Sequence, residues 1–495
     1  MNVVRRHADW LILLAVMLLA GIVRLGWPGL TEFKADEARL LALAYEMADG
    51  RFASRGISSS VGFPNFPLSV WLYAIPAALW RHPLSATLFT GLLNTLAVGG
   101  CYLFTRRYWG RAAAVTAALL LAVSPWAILF SRKIWAQNLL PLVVMGWGGS
   151  AALAFGEGRR RLVALHLLLL AAAVQIHLAA AALLPATAVL LLLYRRRVDW
   201  RWVGVGVLLG VGTAVPFLAD LWQNRAAGLL AGAAAGSGVL SLDAFRLTAT
   251  LSLGLELHSL AGPAAFADYL AQRPPLAPAW AVWGVAMVLG GGVLVLEILK
   301  LGDWRPQAVS RSTASLIVIL WLLAPPLFFT WHNTPIFVHY FIATLPAQYV
   351  AAGVGVGWLW ERLAPHAGAA RAALGAALGG SALLQLAAFG LLLAFVAQRA
   401  TPGGFGTPLA RQLAAVETAV SALQASDASE ILIAGAGEQP RSDAFPAVMG
   451  TLLDGVPHRF VDVTRAALFP AAGAVVLLQN GLDAPLAAAY AAAAA

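Results

Sequence analysis

The fold is decided by an apolar stretch that lies between two arginine triplets. Residues 162–194 are LVALHLLLLAAAVQIHLAAAALLPATAVLLLLY, preceded by Arg159–Arg161 and followed by Arg195–Arg197. As one helix the stretch would be about 50 Å long, whereas the hydrocarbon core of a bilayer is about 30 Å thick. Arginine clusters favour the cytoplasmic side of a membrane, so both triplets are expected there. The stretch is therefore predicted to be a hairpin of two short membrane helices, with its tip near Gln175 and His177 on the outer side.

The rest of the chain is equally poor in charge. Of its 495 residues, 60% are hydrophobic and 11% are charged, whereas about 25% of the residues in a soluble domain are charged. Disordered chains are rich in charge, and membrane β-barrels show short alternating segments, so both classes are excluded. With the hairpin, the apolar segments predict an α-helical polytopic membrane protein of about eleven spans. The other nine are 10–26, 84–105, 112–130, 139–156, 203–222, 279–299, 313–330, 338–358 and 371–397.

The segment 66–81 sets the orientation of everything that follows it. It is short and contains two prolines. If it crossed the membrane, alternation would place every arginine cluster outside, against the positive-inside tendency. We therefore predict that it lies along the outer interface or re-enters, with the N-terminus cytoplasmic. The arginines that orient the helices also explain the net charge of +10, so no nucleic acid partner is implied.

Three large segments are then expected outside, namely 27–83, 223–278 and 398–495. The last differs in composition from the membrane domain, residues 1–397. It alternates between helix-like and strand-like segments, which is typical of a small α/β unit with a parallel sheet. We predict an extracytoplasmic C-terminal domain with helices at 408–424 and 443–453 and strands at 430–434, 459–463 and 473–479.

The first outer segment carries two adjacent carboxylates, Asp36 and Glu37, flanked by Lys34 and Arg39. A carboxylate close to the bilayer can act as a general base, a metal ligand or an ion-pair partner. The alternative is a solvated first turn of an amphipathic helix over 35–49, since acidic residues favour a helix N-terminus.

A second polar cluster, Ser131-Arg132-Lys133, lies in a short outer loop, where cations are disfavoured. The planar guanidinium of arginine matches a phosphate group, although headgroup anchoring explains such cations equally well. The outer side also holds three histidines and a tyrosine, His177, His332, His339 and Tyr340. A single interfacial histidine is usually structural, but several of them on one side with cations and carboxylates indicate a site.

These features together resemble the membrane-embedded GT-C glycosyltransferases, especially the branch of protein O-mannosyltransferases and the bacterial lipid A aminoarabinose transferase. The resemblance rests first on the Asp36-Glu37 pair after the first span and on the segment 66–81 with its prolines and aromatic residues. It rests further on Ser131-Arg132 after the third span, on the short hairpin with a polar tip and on His339-Tyr340 near a late span. It covers about residues 1–360. One departure is Asn65-Phe66-Pro67, where many bacterial relatives have Lys-Pro-Pro.

The resemblance implies an inverting enzyme that transfers a sugar from a polyprenyl-phosphate carrier to an acceptor on the outer face of the membrane. It assigns Asp36 as the general base or acceptor-orienting carboxylate and Arg132 as a ligand of the carrier phosphate. Lys133 and His339 would also stabilise the phosphate. Glu37 would be a partner or a metal ligand, and Mg²⁺ or Mn²⁺ on the Asp36–Glu37 pair is a further expectation.

Other polar residues of the outer segments are expected to bind substrate, and the acceptor stays open between protein, lipid and glycan. These residues are Lys34, Arg39, Asn65, His177, His332 and Tyr340. Two alternative functions stay open, a secondary transporter and a polysaccharide ligase or polymerase. Transporters carry charges near the membrane midplane, but Arg24 is the only clearly intramembrane charge and it lies near the end of a span.

Overall fold

Long apolar helices dominate the computed structural model, which describes residues 3–58, 63–224, 238–300, 306–363, 368–470, 473–482 and 485–493. In the described residues, eight helices are long and apolar enough to cross a membrane. Three shorter apolar helices accompany them. The prediction of an α-helical multi-pass membrane protein is therefore confirmed. The eight long helices are His7–Leu25, Pro83–Val123, Ala136–Gly156, Trp200–Gln223, Ala277–Ile298, Ser310–Phe328, Val338–Arg362 and Gly368–Gln398.

The α-helices and strands are numbered here in chain order. The α-helices are α1 (Val3–Leu25), α2 (Ala35–Ala48), α3 (Leu68–Leu79), α4 (Pro83–Val123), α5 (Pro125–Arg132), α6 (Leu140–Ala151), α7 (Leu162–Ile176), α8 (Leu184–Leu193), α9 (Trp200–Gln223), α10 (Asp243–Leu253), α11 (Phe266–Gln272), α12 (Ala277–Ile298), α13 (Pro306–Phe328), α14 (Leu345–Arg362), α15 (Gly368–Gln398), α16 (Leu409–Gln424), α17 (Ala444–Leu452) and α18 (Pro485–Ala493). The strands are β1 (Val239–Leu240), β2 (Trp331–His332), β3 (Ile431–Gly435), β4 (His458–Asp462) and β5 (Val475–Leu478). Short 3₁₀ turns occur at Ala136–Leu139, Leu178–Leu183, Leu257–Ala261 and Val338–Thr344.

The apolar stretch between the arginine triplets forms the predicted hairpin. Helix α7 ends at Ile176, and His177 adopts an extended backbone with φ −153°. The chain then continues through a 3₁₀ turn, and α8 begins with a proline in its first turn, where the missing N–H has no intrahelical acceptor. The hairpin tip thus lies at His177, as the flanking charges predict.

The second and third predicted spans are joined in one unusually long helix, α4. Gly110 interrupts it with φ 88° and ψ −174°, a backbone conformation that glycine adopts without the clash of a side chain. The break separates the two spans predicted at 84–105 and 112–130. Helix α3 has 12 residues and is about 18 Å long, which is too short for a ~30 Å core. Its position at the outer interface stays a prediction.

Arg24, the intramembrane charge singled out in the sequence, caps the end of another helix. Its two terminal nitrogens donate to the carbonyls of Leu121 and Ala122, each at 2.8 Å. The Leu121 carbonyl would normally accept from the residue four positions later, but that residue is Pro125, which has no N–H. The charge inside the span therefore satisfies a helix end, and it gives no support to a transport site.

Two of the arginine clusters predicted on one side of the membrane lie close together. Asp9 pairs with Arg106 at 2.9 Å and with Arg111 at 2.5 Å. Arg107 pairs with Glu157 at 2.5 Å, and Glu157 also contacts Arg159 of the second cluster at 3.8 Å. The structure thus gathers these clusters as the topology requires.

The C-terminal segment contains the predicted α/β pattern. Its three-stranded parallel sheet has the order β4-β3-β5, with α16 and α17 beside it. The segment packs on the start of α2 and the chain before it: the N–H of Leu409 donates to the Thr31 carbonyl at 3.0 Å, and the Thr451 hydroxyl donates to the Ala38 carbonyl at 3.2 Å. The domain boundary near 397 stays a prediction. Of the other large outer segments, residues 59–62 and 225–237 lie outside the described residues.

Candidate active site

A buried ion-pair network of three residues lies at the centre of the polar residues that the sequence predicts on the outer side. The Lys133 ammonium is 2.9 Å from Glu32 Oε2 and 2.7 Å from Glu37 Oε1, and all three side chains are buried. Glu37 is held there by the capping box of α2, because its Oε2 accepts the Lys34 backbone N–H at 2.9 Å. The network therefore ties the loop after α1 to the loop after α5.

The surroundings keep Glu32 and Lys133 charged. Burial raises the pKa of the Glu32 carboxyl, but the ammonium groups of Lys133 and Lys34 outweigh burial and leave the pKa below its ordinary value. Burial lowers the pKa of Lys133, and the carboxylates of Glu32 and Glu37 outweigh it and leave the pKa raised. Glu32 thus stabilises the fold above the ordinary pKa of a glutamate, and this stabilisation is lost as the pH falls through its lowered value.

Arg132 does not have the geometry of a phosphate ligand. The residue is 1% exposed. Its terminal nitrogens donate to the carbonyl of Val23 in the last turn of α1 and to those of Gly26, Trp27 and Leu30 in the chain that follows. The last turn of a helix leaves its carbonyls without intrahelical partners, and Arg132 satisfies them. Both terminal nitrogens of Arg132 are therefore occupied by backbone carbonyls, and its buried Nε is the guanidinium nitrogen without a hydrogen-bond partner in the described structure.

Replacing Arg132 by glutamine tests this structural role. We expect the Arg132→Gln protein to lose about 1.5–3 kcal/mol of unfolding free energy, since hydrogen bonds from a charged group to buried carbonyls are removed. Sugar transfer per folded molecule should be kept. The measurements are thermal unfolding in detergent and a transfer assay on the folded fraction. The control is Arg411→Gln, because Arg411 also donates to a carbonyl, that of Gln398, but is exposed. Loss of sugar transfer in Arg132→Gln at unchanged stability would instead support Arg132 as a ligand of the donor phosphate.

An aromatic and histidine cluster adjoins the Lys133 network. The Lys133 ammonium lies 4.0 Å from the centre of the Trp135 ring, and the ring centres of Trp135 and His339 are 4.4 Å apart. His339 in turn lies 4.8 Å from Tyr340 and 6.4 Å from His177. The structure thus brings together three polar residues predicted from distant parts of the sequence. We call Trp135, His177, His339 and Tyr340 the histidine cluster.

The protonation of His177 follows from its contacts. Its Nδ1 accepts the backbone N–H of Ala179 at 3.3 Å, so in the neutral ring the proton is on Nε2. Burial lowers the pKa of His177 to about 4. At neutral pH the ring is therefore an uncharged hydrogen-bond donor through Nε2.

The two adjacent carboxylates have different environments. Glu37 is 1% exposed and ion-paired with Lys133. The side chain of Asp36 is 52% exposed, and its one ion pair among the described residues is a long 3.9 Å contact with Arg39. A substrate can reach Asp36 and cannot reach Glu37. If one of the pair accepts a proton, Asp36 is the accessible one.

The remaining predicted residues lie around this centre or away from it. Lys34 contacts Glu32 and the Gly404 carbonyl, both at 2.7 Å, and Arg39 donates to the Pro440 carbonyl at 3.2 Å, so both face the C-terminal segment. Asn65 donates to the Ile57 carbonyl at 2.9 Å and closes its own loop. His332 lies on β2, with Nδ1 2.9 Å from the Thr334 carbonyl. Within the described contacts, Asn65 and His332 do not reach the histidine cluster.

Two functional residues carry no assigned role in the sequence prediction, Glu32 and Trp135. Glu32 lies two residues before Lys34, and Trp135 lies two residues after Lys133. A signal for Glu32 does exist: a buried lysine needs carboxylate partners, and Lys133 lies in a loop where cations are disfavoured. No comparable signal marks Trp135.

A divalent cation on Asp36 and Glu37 stays a prediction, and the donor set fits it poorly. Both oxygens of Glu37 are engaged, one with Lys133 and one with the Lys34 backbone. In the described ranges, no group of three or more His, Cys, Asp or Glu residues is arranged to hold a metal ion.

The fold can be compared with known proteins. No protein-family profile and no curated protein matches this sequence. The structure is similar to that of ArnT from Cupriavidus metallidurans in the apo state, with a TM-score of 0.59 and 15% identity, covering 92% of this chain and 86% of that chain. The same protein bound to undecaprenyl phosphate gives a TM-score of 0.55 at 15% identity, with the same coverage of 92% and 86%. The resemblance to GT-C membrane glycosyltransferases, predicted from the sequence, is therefore confirmed at the level of the fold.

Proposed function

We propose that this protein transfers a sugar from a polyprenyl-phosphate carrier to an acceptor at the outer face of the membrane. The observation that carries the proposal is the exposed Asp36 beside the buried Glu37–Lys133 pair, whose other side contacts the histidine cluster. The fold supports the choice of donor, because ArnT, which shares it, has been solved bound to undecaprenyl phosphate.

Asp36 is the proposed general base. An acceptor hydroxyl or amine attacks the anomeric carbon, its proton passes to the Asp36 carboxylate, and the bond between that carbon and the phosphate oxygen breaks. Proton transfer to a positioned carboxylate typically accelerates such a step about 10²–10⁴-fold. A single displacement inverts the anomeric carbon. Lys34 and Arg39, which face the C-terminal segment, are proposed to contact the acceptor.

The histidine cluster is the proposed site of the donor phosphate. His177 donates through Nε2, and in the described contacts no hydrogen bond occupies the His339 ring. Donors fixed in place before the reaction stabilise the charge that grows on a leaving phosphate. Glu32, Glu37, Lys133 and Arg132 hold the two loops in position.

The sugar is proposed to be a hexose or pentose, and the acceptor class is open. The protein is proposed to lie in the plasma membrane with its N-terminus in the cytoplasm. The C-terminal segment then lies outside, next to Asp36, where it can contact an acceptor.

Transfer and transport are separated by one pair of assays. The purified protein, reconstituted in liposomes, is incubated with polyprenyl-phosphate-linked hexoses and pentoses and mixed protein, lipid and glycan acceptors. Release of free polyprenyl phosphate with formation of a glycosylated product supports the proposal. Counterflow of a free solute without product formation would favour a secondary transporter instead.

Truncating His339 should weaken donor binding. We expect His339→Ala to raise the KM for the lipid-linked donor about tenfold, because a hydrogen-bond donor to a charged group is lost. The measurement is initial transfer rate against donor concentration. The matched control is His332→Ala, which removes a histidine that does not reach the histidine cluster. Equal KM values in the two variants would argue against the phosphate site.

A further inference from the structure

A cavity with both apolar and charged lining residues lies near the start of α12, apart from the histidine cluster. It has a volume of about 250 Å³ and is lined by the turn that includes Glu256 and His258, together with Arg273 and Trp280. Glu256 adopts a left-handed backbone with φ 56°, which is uncommon for a residue with a side chain. None of these lining residues contacts Lys133 or the histidine cluster in the described part of the chain.

Two hydrogen-bond donors of this cavity are unsatisfied. The Arg273 Nε and the Trp280 Nε1 are buried without a hydrogen-bond partner in the described structure, and the Arg273 guanidinium lies over the Trp280 ring at 5.6 Å. Buried donors are costly when unpaired, and each such group in a native structure calls for a partner. Two adjacent N–H groups, one of them cationic, suit the oxygens of a phosphate.

The charge of the cavity favours an anionic ligand. Its single carboxylate, Glu256, is already paired with Arg246 at 3.1 Å. Arg273 has no ion pair within the described residues. An amine on the ligand would therefore find no unpaired carboxylate in the lining, whereas a phosphate would find Arg273.

An apolar groove runs from this cavity along α12. Trp280 lines both the cavity near Arg273 and a shallow depression over Val285 and Leu289. The depression continues into a groove of about 300 Å³ against α14 and α15, lined there by residues such as Val356 and Leu378. The helix faces the surface here, since Val285 is 67% exposed.

The length of the groove selects the kind of lipid. From Trp280 to Leu289 the helix rises about 14 Å, which is close to half of a ~30 Å hydrocarbon core. That length matches one acyl chain in one leaflet. A long polyisoprenoid would extend well beyond it.

We propose that the start of α12 binds an anionic glycerophospholipid. Its phosphate lies between Arg273 and Trp280, and one acyl chain lies in the groove over Val285 and Leu289. This site is separate from the proposed donor site, and it does not depend on the transfer reaction.

The test measures phospholipid binding by the full chain. The purified protein is delipidated in detergent and titrated with phosphatidylglycerol or phosphatidylcholine of identical acyl chains, and bound lipid is counted by native mass spectrometry. We expect phosphatidylglycerol to bind about tenfold more tightly than phosphatidylcholine, and Arg273→Gln to remove this preference. Trp280→Phe keeps the ring but removes the N–H, and should weaken binding of both lipids.

The matched control is Arg399→Gln, because Arg399 is exposed and pairs with the exposed Asp268 at 3.2 Å. It should bind like the unmodified protein. Equal affinity for the two lipids in the unmodified protein would overturn the proposal. The proposal would also be overturned if folded Arg273→Gln kept the lipid preference and Trp280→Phe kept the lipid affinity of the unmodified protein. Displacement of phosphatidylglycerol by undecaprenyl phosphate at equal concentration would likewise overturn it, because the groove would then hold the tail of the donor.

Discussion

The Asp36→Asn protein is expected to lose sugar transfer by about 10²–10⁴-fold, the range for loss of a general base. Asparagine has nearly the size of aspartate but cannot accept the proton of the acceptor. The side chain is half exposed and makes only a long contact with Arg39, so its replacement should leave the fold intact. The measurement is the initial rate of product formation by protein that elutes as a single species in detergent.

The control for this variant lies on the same helix. Glu46 is an exposed carboxylate of α2, and Glu46→Gln removes one negative charge as Asp36→Asn does. We expect its transfer rate to be unchanged. Full activity in Asp36→Asn, or an equal loss in both variants, would contradict the assignment of Asp36 as the base.

The Lys133→Met protein is expected to show the largest loss of stability. It leaves Glu32 and Glu37 buried without their shared cation, and removing one partner of a buried ion pair typically costs about 3–5 kcal/mol. Methionine keeps most of the side-chain volume, so the loss reports charge and not a cavity. The measurement is thermal unfolding of the detergent-solubilised protein at neutral pH.

Two further variants separate charge from packing at this site. Replacing all three residues at once, with Glu32→Gln, Glu37→Gln and Lys133→Met, should recover much of the stability because no buried charge is left unpaired. Arg246→Gln, which breaks an exposed ion pair with Glu256, should cost at most about 1 kcal/mol. An unfolding temperature of Lys133→Met equal to that of the unmodified protein would contradict the buried network.

Much of the fold follows from the sequence because length and charge act together. The 33-residue apolar stretch is too long for one span, and its flanking arginine triplets must share a side, so a hairpin is the only consistent solution. The C-terminal strands β3 and β5 are likewise marked by short apolar runs between turn residues. Such signals are local in the sequence, so they can be read without knowing how the helices and strands pack.

The division of roles within the candidate site could not be predicted in the same way. Arg132 and Lys133 are neighbours in sequence, yet one caps α1 and the other joins two carboxylates. Which of them faces which partner depends on where α5 ends, and Glu32 lies about a hundred residues away along the chain. Asp36 and Glu37 are neighbours in the first turn of α2, and the turn exposes the side chain of Asp36 and buries that of Glu37.

The packing of the C-terminal segment on α2 also lacks a sequence signal. It depends partly on backbone hydrogen bonds, such as that from the Leu409 N–H to the Thr31 carbonyl, and backbone groups are the same in every residue. Tertiary contact therefore decides that this segment packs against the chain that leads into α2, the helix that carries Asp36.

The central claim is that Asp36 and the histidine cluster face one donor site. It is tested most directly by a structure of the full chain with undecaprenyl phosphate bound. The account predicts the phosphate within hydrogen-bond distance of His339 or His177, with the Asp36 carboxylate facing the same cavity. A phosphate held elsewhere, or packed helices between it and Asp36, would contradict the account.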